Sequence, residues 1–320
     1  MKVKVTSLML ATLMACTLIQ PTQAVQPLEA VPVVQQVGGV DELLQVVSAE
    51  ATAARQAAEN IQHPQGIGLY LDSVALLEVQ REMRNGVCYV AVDSFLAAAQ
   101  PQAVVTQVDG GISVSASTTT QTQEGSVEET LEMTVYQGAA YVVANDRYLY
   151  LPQGVADLDG HLAIPVDTMA KILNLNVVRD EQTGYIRLYT QQGQAYLTAG
   201  SAYYNSEDFY WLSRIIYAES GNQPLEGKIA VGNVVMNRVA SYKFPNTVTG
   251  VIFQKNQFSP AASGSVYRDP NWDSQVAAKL VLDGAVVLDN ALFFNRAGLD
   301  CYASRNRAYV ATIGAHAFYA

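Results

Sequence analysis

The sequence predicts an α+β protein in which a small repeated strand–helix module precedes a C-terminal domain built on two apolar helices. Three observations lead to this class. A strand-like segment followed by a helix-like segment occurs twice between residues 66 and 190. Apolar residues recur at helical spacing in two consecutive runs after residue 205. Short apolar segments bounded by Gly, Asn and Asp, which are typical of strands, occur before and after these runs.

Length and composition allow one or two ordinary domains. The chain has 320 residues and is 50% hydrophobic, which is enough for globular cores at about 100–200 residues per domain. From residue 201 onward ten Lys and Arg face nine Asp and Glu, so the acidic excess lies earlier in the chain. No cluster of basic residues indicates a nucleic-acid surface. An uncharged or mildly anionic polymer suits this near-neutral part better.

Residues 1–24 are interpreted as an export signal. Lys2 and Lys4 form a charged start, an apolar run follows, and Thr22-Gln23-Ala24 offers small residues for cleavage. A less favoured interpretation takes Leu13-Met14-Ala15-Cys16 as a lipoprotein box with a lipidated Cys16, although Met14 fits that box poorly. No later stretch reaches the ~20 apolar residues that a membrane helix needs. We therefore expect a secreted or envelope-associated protein, with the spore as one such location and no transmembrane span in the mature chain.

A spacer and a repeated module are predicted to follow. Residues 25–65 form the spacer, with a helix from about Asp41 to Ile61. Residues 66–190 contain the repeat: Asn85-Gly-Val-Cys-Tyr-Val-Ala-Val-Asp93-Ser-Phe-Leu-Ala-Ala-Ala99 returns as Asp159-Gly-His-Leu-Ala-Ile-Pro-Val-Asp167-Thr-Met-Ala-Lys-Ile-Leu173. Each copy predicts a turn, a strand and a helix whose N-cap is the Asp with its Ser or Thr. The Ser/Thr/Gln-rich stretch 115–126 predicts a flexible loop between the copies.

This repeated pattern resembles the copper amine oxidase N-terminal-like domain, or stalk domain, of exported bacterial envelope proteins. The resemblance covers most of residues 66–190. It does not imply an oxidase, because the sequence has no paired-histidine copper site and lacks the context of the redox tyrosine. The sequence predicts no metal site and no cofactor.

Residues 191–205 are predicted to link this module to a second domain, residues 206–320. Asn205 or Ser206 is predicted to cap the first helix of that domain. Gly221 ends the helix, and Pro224 opens the next one, which runs to about Ala240. Because this second helix is apolar nearly all round, we expect it to lie in the centre of the core.

One carboxyl group, Glu219, lies at the end of the first helix, in the run Trp211-Leu-Ser-Arg-Ile-Ile-Tyr-Ala-Glu219. The helix dipole is negative at that end and apolar neighbours disfavour the anion, so the group should keep its proton. A protonated carboxyl is what general-acid cleavage of a glycosidic bond requires. On these features alone, a solvated glutamate at a frayed helix end is the simpler reading.

The surrounding sequence favours the catalytic reading. The run from Trp211 to Val239 resembles the cell wall hydrolases related to the spore-cortex-lytic enzymes of the SleB and CwlJ type. Further matches follow in the family's order and extend the resemblance over nearly all of residues 206–320: Phe244-Pro245, Thr247 to Phe253, Gln257-Phe258-Ser259, Ala291 to Phe294, and Ile313 to Tyr319.

The resemblance implies a compact lysozyme-like α+β fold with Glu219 as the catalytic glutamate. Glu219 would then protonate the oxygen between N-acetylmuramic acid and N-acetylglucosamine in the glycan strands of peptidoglycan. In a lytic transglycosylase the sugar's own 6-hydroxyl closes on C1, so one carboxyl suffices where most glycosidases use two. Glu226 is interpreted as a dipole-favouring residue at the next helix start. Three questions stay open. They are whether the reaction is hydrolysis or gives an anhydro product, whether the substrate is spore cortex or vegetative wall, and whether a regulatory envelope or spore protein is a partner.

Five residues are candidates for holding the glycan: Tyr217, Gln257, Phe258, Ser259 and His316. The first four lie where the match to the family is tight. His316 matches a family position, although a structural hydrogen bond is its simpler role. Asn295-Arg296 stands where relatives often carry a histidine, and residues 300–307 lack an expected tryptophan, which bears on glycan preference.

Two rival functions remain at this point. One is an envelope-binding scaffold whose hydrolase-like domain is inactive. The other is a cysteine peptidase using Cys301 with His316, since a thiol nucleophile needs a base within hydrogen-bond reach. The residues around Cys301 do not favour the cysteine peptidase. Cys88 and Cys301 could pair or stay as free thiols.

Overall fold

Residues 66–122 and 125–320 are described by a computed structural model of the chain. The predicted export signal with Cys16 and the predicted helix of the spacer lie outside the described residues.

Strands dominate the first part of the described chain. Its elements are β1 (Leu69–Leu71), β2 (Val74–Ala75), β3 (Arg81–Arg84), β4 (Val87–Ala91), α1 (Val92–Ala99), β5 (Val104–Val108), β6 (Gly111–Thr122), β7 (Gly125–Tyr136), β8 (Tyr141–Ala144), β9 (Arg147–Tyr150), β10 (Ala156–Leu158), β11 (His161–Pro165), α2 (Val166–Ile172), β12 (Leu175–Arg179) and β13 (Ile186–Thr190). Within the described residues these strands form three sheets, ordered β12-β13-β1-β2, β10-β11-β4-β3 and β5-β6-β7-β8-β9.

The sequence repeat corresponds to a structural repeat. Each copy forms a strand that leads directly into a helix, β4–α1 and β11–α2. The two strands pair with each other antiparallel in the middle of their sheet. Both hairpins turn on two residues of positive φ, Asn85-Gly86 at 47° and 79° and Asp159-Gly160 at 53° and 91°. Asn-Gly and Asp-Gly are the dipeptides that such turns favour, so the predicted turns are confirmed.

The predicted caps on these helices are wrong. The N-cap of α1 is Ala91 and that of α2 is Pro165, because strand passes into helix without an intervening loop. Asp93 therefore lies in the first helical turn, where its Oδ2 meets His161 Nδ1 at 2.5 Å and links the two copies. Asp167 likewise lies in a first turn and pairs with Arg179 at 2.5 Å.

The predicted flexible loop at 115–126 is also wrong. Most of this stretch belongs to the long hairpin of β6 and β7, whose register runs from Gly111↔Tyr136 to Thr122↔Gly125. Threonine is β-branched and suits an exposed strand. Polar composition therefore indicated solvent exposure here, and a loop was the wrong inference from it.

Helices dominate the C-terminal part. Its elements are α3 (Gly200–Tyr203), α4 (Ser206–Ser220), α5 (Leu225–Ala240), α6 (Val248–Ile252), α7 (Ser259–Ser263), α8 (Trp272–Leu282), β14 (Phe293–Arg296), α9 (Tyr302–Asn306), β15 (Tyr309–Ile313) and β16 (His316–Tyr319). The three strands form an antiparallel sheet in the order β14-β16-β15. The predicted α+β class is confirmed. None of the helices in the described part of the chain is long and apolar enough to cross a membrane.

Helix α5 occupies the centre of the C-terminal core. Most of its side chains are buried, and α4 and α8 pack against it. Gly232 permits this close packing, since an added Cβ would lie 2.8 Å from Val281 Cγ2 and 3.1 Å from Ile216 Cδ1. The expected central position of this helix is confirmed.

A buried charge cluster joins the strand-rich part to the helical part. The Asp283 side chain, 1% exposed, follows α8 and receives bonds from Arg147 (2.5 Å), Lys171 (3.0 Å) and Tyr204 (2.7 Å). Burial by itself raises the pKa of Asp283, but these hydrogen bonds bring that pKa below its usual range. Tyr148 of β9 packs within the C-terminal core. The strand-rich part is therefore packed directly onto the helical domain.

Candidate active site

Helix α4 delivers Glu219 to its position. The helix begins at Asn205, whose side chain accepts hydrogen bonds from the Glu207 and Asp208 backbone N–H groups, as the sequence predicts. Its apolar face is anchored in the core by fully buried Ile215 and Ile216. Glu219 lies in the last turn, so its carboxyl sits at the negative end of the helix.

The turn after Glu219 is tied to the β-sheet. Gln223 lies between α4 and α5, and its Oε1 accepts a hydrogen bond from the Ala315 N–H at 2.8 Å. Ala315 immediately precedes β16, the strand that begins with His316. One hydrogen bond thus fixes the helix end that carries Glu219 relative to the strand that carries His316.

A cleft of about 420 Å³ opens beside Glu219. Its lining comes from five parts of the domain: the end of α4, the end of α5, residues 257–259 at the start of α7, and strands β14 and β16. The lining residues are Glu219, Arg238, Gln257, Phe258, Ser259, Phe294, Asn295, Arg296 and His316. Of these described residues, Glu219 alone carries a carboxyl group. Four of the five predicted glycan-holding residues lie in this lining.

Burial sets the acidity of Glu219. Desolvation raises the pKa of its carboxyl from 4.5 to about 7, against an opposing pull from the Arg238 charge. The same burial lowers the pKa of Arg238 to about 10, which the Glu219 charge partly offsets. Near neutral pH a large fraction of Glu219 therefore carries its proton, as a general acid must.

His316 forms part of the opposite wall. Its ring lies edge-on to Phe294 with centroids 5.3 Å apart, and Nδ1 is buried with no hydrogen-bond partner among the described residues. Burial lowers the pKa of His316, so the ring is neutral at neutral pH. Because Nδ1 is buried, a neutral imidazole offers the cleft one nitrogen, as a donor or an acceptor according to the tautomer, and adds no positive charge.

Gln257, Phe258 and Ser259 contribute a polar and an apolar surface to the same cleft. Gln257 and Ser259 are exposed, whereas Phe258 is 5% exposed and packs beside the Arg238 guanidinium. A second cavity, of about 470 Å³, adjoins the cleft, because these three residues line both. The second cavity is lined by residues between 253 and 262.

Tyr217 lies elsewhere. Its ring packs over Gly221, where an added Cβ would meet the ring at 2.8 Å, and it does not line the cleft. At about 100° per residue, a position two residues before Glu219 points to nearly the opposite side of the helix. The sequence match was tight at Tyr217, but helical geometry turns the side chain away from the carboxyl.

Arg238, Phe294, Asn295 and Arg296 also line the cleft and were not predicted as site residues. One signal for Arg238 was available: a cation in the last turn of a helix that is largely apolar. Such a residue is buried only if it has a specific partner or role. For Asn295-Arg296 the sequence gives only a departure from the family pattern.

Cys301 lies on the other face of the sheet from His316. Its neighbours are Ala303, Ala317 and Tyr319, whereas the ring of His316 contacts Phe294. Successive side chains of a strand point to opposite faces, so residues 316 and 317 of β16 diverge. Cys301 caps α9 through Ser304 and is a free thiol, as is Cys88. The fold therefore separates the Cys301 thiol from the His316 imidazole, which the cysteine-peptidase hypothesis requires to lie close together.

The fold and the cleft define the class of this part of the chain. Residues 222–319 match the sequence model of the Cell Wall Hydrolase family, so the C-terminal part carries a domain of that family. The matched range begins just after Glu219.

Known relatives of this domain are spore cortex-lytic enzymes. The chain is 37% identical over 91 residues to the spore cortex-lytic enzyme of Bacillus cereus, covering 28% of this chain and 35% of that protein. It is 33% identical over 91 residues to that of Bacillus subtilis strain 168, covering 28% and 30%. The match thus spans about a third of these relatives. Among solved structures, the catalytic domain of the germination-specific lytic transglycosylase SleB from Bacillus anthracis is 33% identical, with 37% of this chain and 97% of that chain covered and a TM-score of 0.35.

Proposed function

We propose that the C-terminal domain cleaves the glycan strands of peptidoglycan between N-acetylmuramic acid and N-acetylglucosamine, with Glu219 as the general acid. The observation that carries this proposal is a carboxyl whose pKa is raised to about 7 by burial at the edge of a polar cleft. The family of the domain supports the polymer. The substrate lies outside the cytoplasm, in agreement with the predicted export signal.

One carboxyl is sufficient if the bond is cut as in a lytic transglycosylase. Glu219 gives its proton to the glycosidic oxygen, and the C1–O bond breaks with its electron pair staying on that oxygen. The 6-hydroxyl of the muramic acid then bonds to C1, and its proton returns to Glu219. No water is consumed, and the product is a 1,6-anhydro end. The lining of the cleft, with Glu219 as its one acid among the described residues, favours this route over a two-carboxylate hydrolysis.

The second cavity, which shares three lining residues with the cleft beside Glu219, supports a polymeric substrate. Phe253, 38% exposed, supplies apolar ring surface. Gln257, Asn256 and Ser259 supply hydrogen-bonding groups. Sugars present both kinds of surface, and aromatic rings can cover their apolar faces. A strand bound across Glu219 can therefore extend into the adjoining cavity.

The test is digestion of purified peptidoglycan with the purified chain, followed by mass spectrometry of the released muropeptides. New 1,6-anhydromuramic ends confirm the proposal, and new reducing ends, heavier by one water, indicate hydrolysis by the same site. Binding to peptidoglycan without either kind of new end would overturn the proposal and favour an envelope-binding scaffold.

A further inference from the structure

Arg238 is held in one position beneath the cleft. It is 4% exposed, and its Nε donates a hydrogen bond to the Leu292 carbonyl at 2.7 Å. Three aromatic rings surround the guanidinium, with centroids at 5.0 Å for Phe244, 5.0 Å for Phe258 and 5.4 Å for Phe293. This packing holds the guanidinium in place and keeps it away from solvent.

The guanidinium is incompletely paired. Nη1 is buried and has no hydrogen-bond partner in the part of the chain that the structure describes. Leaving a buried donor unpaired is unfavourable, and burying an unpaired charge is more unfavourable still. The unpaired guanidinium therefore does not stabilise the folded protein. It would be stabilised by a negative charge that appears in the cleft during the reaction.

The cleft contains one group that can become negative. Glu219 is neutral when protonated and becomes a carboxylate once it has given its proton away. The other titratable groups that face it are Arg296 on β14, which is exposed, and His316 on β16, which is neutral. Residues 257–259, at the start of α7, bring only uncharged side chains to the cleft. Lys255 is exposed and lines the adjoining cavity. Solvent screens an exposed charge such as Arg296 far more than a buried one.

We propose that Arg238 is a positioning residue that stabilises the carboxylate left on Glu219 after proton donation. The proposal rests on the general-acid role of Glu219 proposed above. Because the charge on Glu219 develops only as the glycosidic bond breaks, a fixed cation beside it favours the transition state over the bound substrate. Desolvation keeps the acid protonated at rest, and Arg238 limits how strongly the proton is held.

The mutual effect of the two groups supports this arrangement. Arg238 lowers the pKa of Glu219 against the rise that burial causes, and Glu219 raises the pKa of Arg238 in return. An uncharged side chain at position 238 should therefore leave Glu219 a weaker acid. An opposite charge close to a carboxyl typically lowers its pKa by about 1–3 units.

The first experiment needs no substrate. The chain is labelled with ¹³C at the glutamate carboxyl carbons, and the Glu219 signal, assigned by its absence in Glu219→Gln, is titrated in the wild type, Arg238→Met and Arg296→Met. Methionine keeps an unbranched apolar stem against the phenylalanine rings. We expect a rise in the pKa of Glu219 of about one pH unit or more in Arg238→Met and a much smaller rise in Arg296→Met. An unchanged pKa in a folded Arg238→Met protein overturns the inference.

A second measurement applies if Arg238→Met does not fold. In the wild type, the ¹⁵Nε signal of Arg238, assigned through Arg238→Lys, should shift with a midpoint near the pKa of Glu219, about 7. The shift should be missing in Glu219→Gln. A signal that does not respond to pH in the wild type overturns the inference.

Activity then separates this inference from the proposed function. In Arg238→Met, glycan cleavage at low pH should fall by up to about tenfold, the equivalent of one pH unit, and the alkaline limb of the pH profile should move up with the pKa of Glu219. If the wild type does not cleave glycan, the proposed function fails, while the titrations still decide whether the two charges are coupled.

Discussion

Glu219 and Arg238, at the C-terminal ends of two successive helices, line one cleft and oppose the effect of burial on each other. Burial favours the neutral form of both groups, and each charge favours the ionised form of the other. For Glu219 burial is the larger effect, so its pKa is raised to about 7. A carboxyl that holds its proton at neutral pH yet can release it to a substrate is the basis of the predictions that follow.

Glu219→Gln should keep the fold and abolish glycan cleavage. Glutamine has nearly the same shape but no acidic proton, and general-acid catalysis contributes about 10²–10⁴-fold. The measurement is the rate of release of new glycan ends from peptidoglycan, with circular dichroism to confirm folding. The matched control is Glu226→Gln, because Glu226 is an exposed acid in the first turn of α5. Equal turnover in Glu219→Gln and wild type would contradict the mechanism.

Glycan cleavage should decline as pH rises through about 7, the raised pKa of Glu219. Only the protonated form can donate, so the rate falls tenfold per pH unit well above that value. A pH profile of initial rates on purified peptidoglycan checks this. A decline centred near the ordinary glutamate pKa of 4.5 would show that the carboxyl is solvated.

Protein stability should show the same ionisation. The folded-state pKa of Glu219 is raised from 4.5 to about 7 by burial, so its contribution to stability is fully present below pH 4.5 and is lost as pH rises to about 7. The Glu219→Gln protein has no such loss. Its melting temperature should match that of the wild type near pH 4 and exceed it at pH 8. A difference that does not change between these pH values would contradict burial of the carboxyl.

Arg147→Ala should destabilise the protein by about 3–5 kcal/mol, the usual cost of breaking a buried ion pair from one side. Arg147 and Asp283 are 5% and 1% exposed, so Asp283 would keep a buried charge with one cation fewer. Urea unfolding measures the change. The matched control is Arg179→Ala, whose pair with Asp167 is about half exposed and should cost at most about 1 kcal/mol. Similar losses in the two variants would show that the junction is not a buried contact.

Cys301→Ala should leave glycan cleavage unchanged, because Cys301 does not line the cleft and packs with Ala317 and Tyr319, away from His316. His316→Ala should lower kcat/KM about five- to tenfold, the equivalent of one lost hydrogen bond of about 1–1.5 kcal/mol, because its ring lines the cleft. Both are measured on peptidoglycan under the same conditions. Loss of activity in Cys301→Ala would revive the cysteine-based reading.

Local sequence patterns were sufficient where neighbouring residues decide the structure. The helix cap at Asn205, the two apolar helices, the Asn-Gly and Asp-Gly turns and Glu219 at a helix end all depend on contacts within a few residues. The same patterns were not sufficient at Asp93 and in the stretch 115–126. At Asp93 the strand continues directly into the helix, so the residue lies in the first turn and does not cap the helix. In the stretch 115–126, pairing with β7 makes a strand of residues whose composition favours a loop.

The sequence by itself determined the α+β class, the two core helices of the C-terminal domain and the candidate acid, because periodicity, capping and short motifs are local properties of a chain. The sequence also indicated four of the side chains that share the cleft with that acid, Gln257, Phe258, Ser259 and His316. Tertiary structure decided the rest: it brought in Arg238 from α5, turned Tyr217 away by helical rotation, and separated Cys301 from His316 by strand alternation. It also decided that the Glu219 carboxyl is buried, and since desolvation depends on residues distant in sequence, the acidity of Glu219 is a property of the fold.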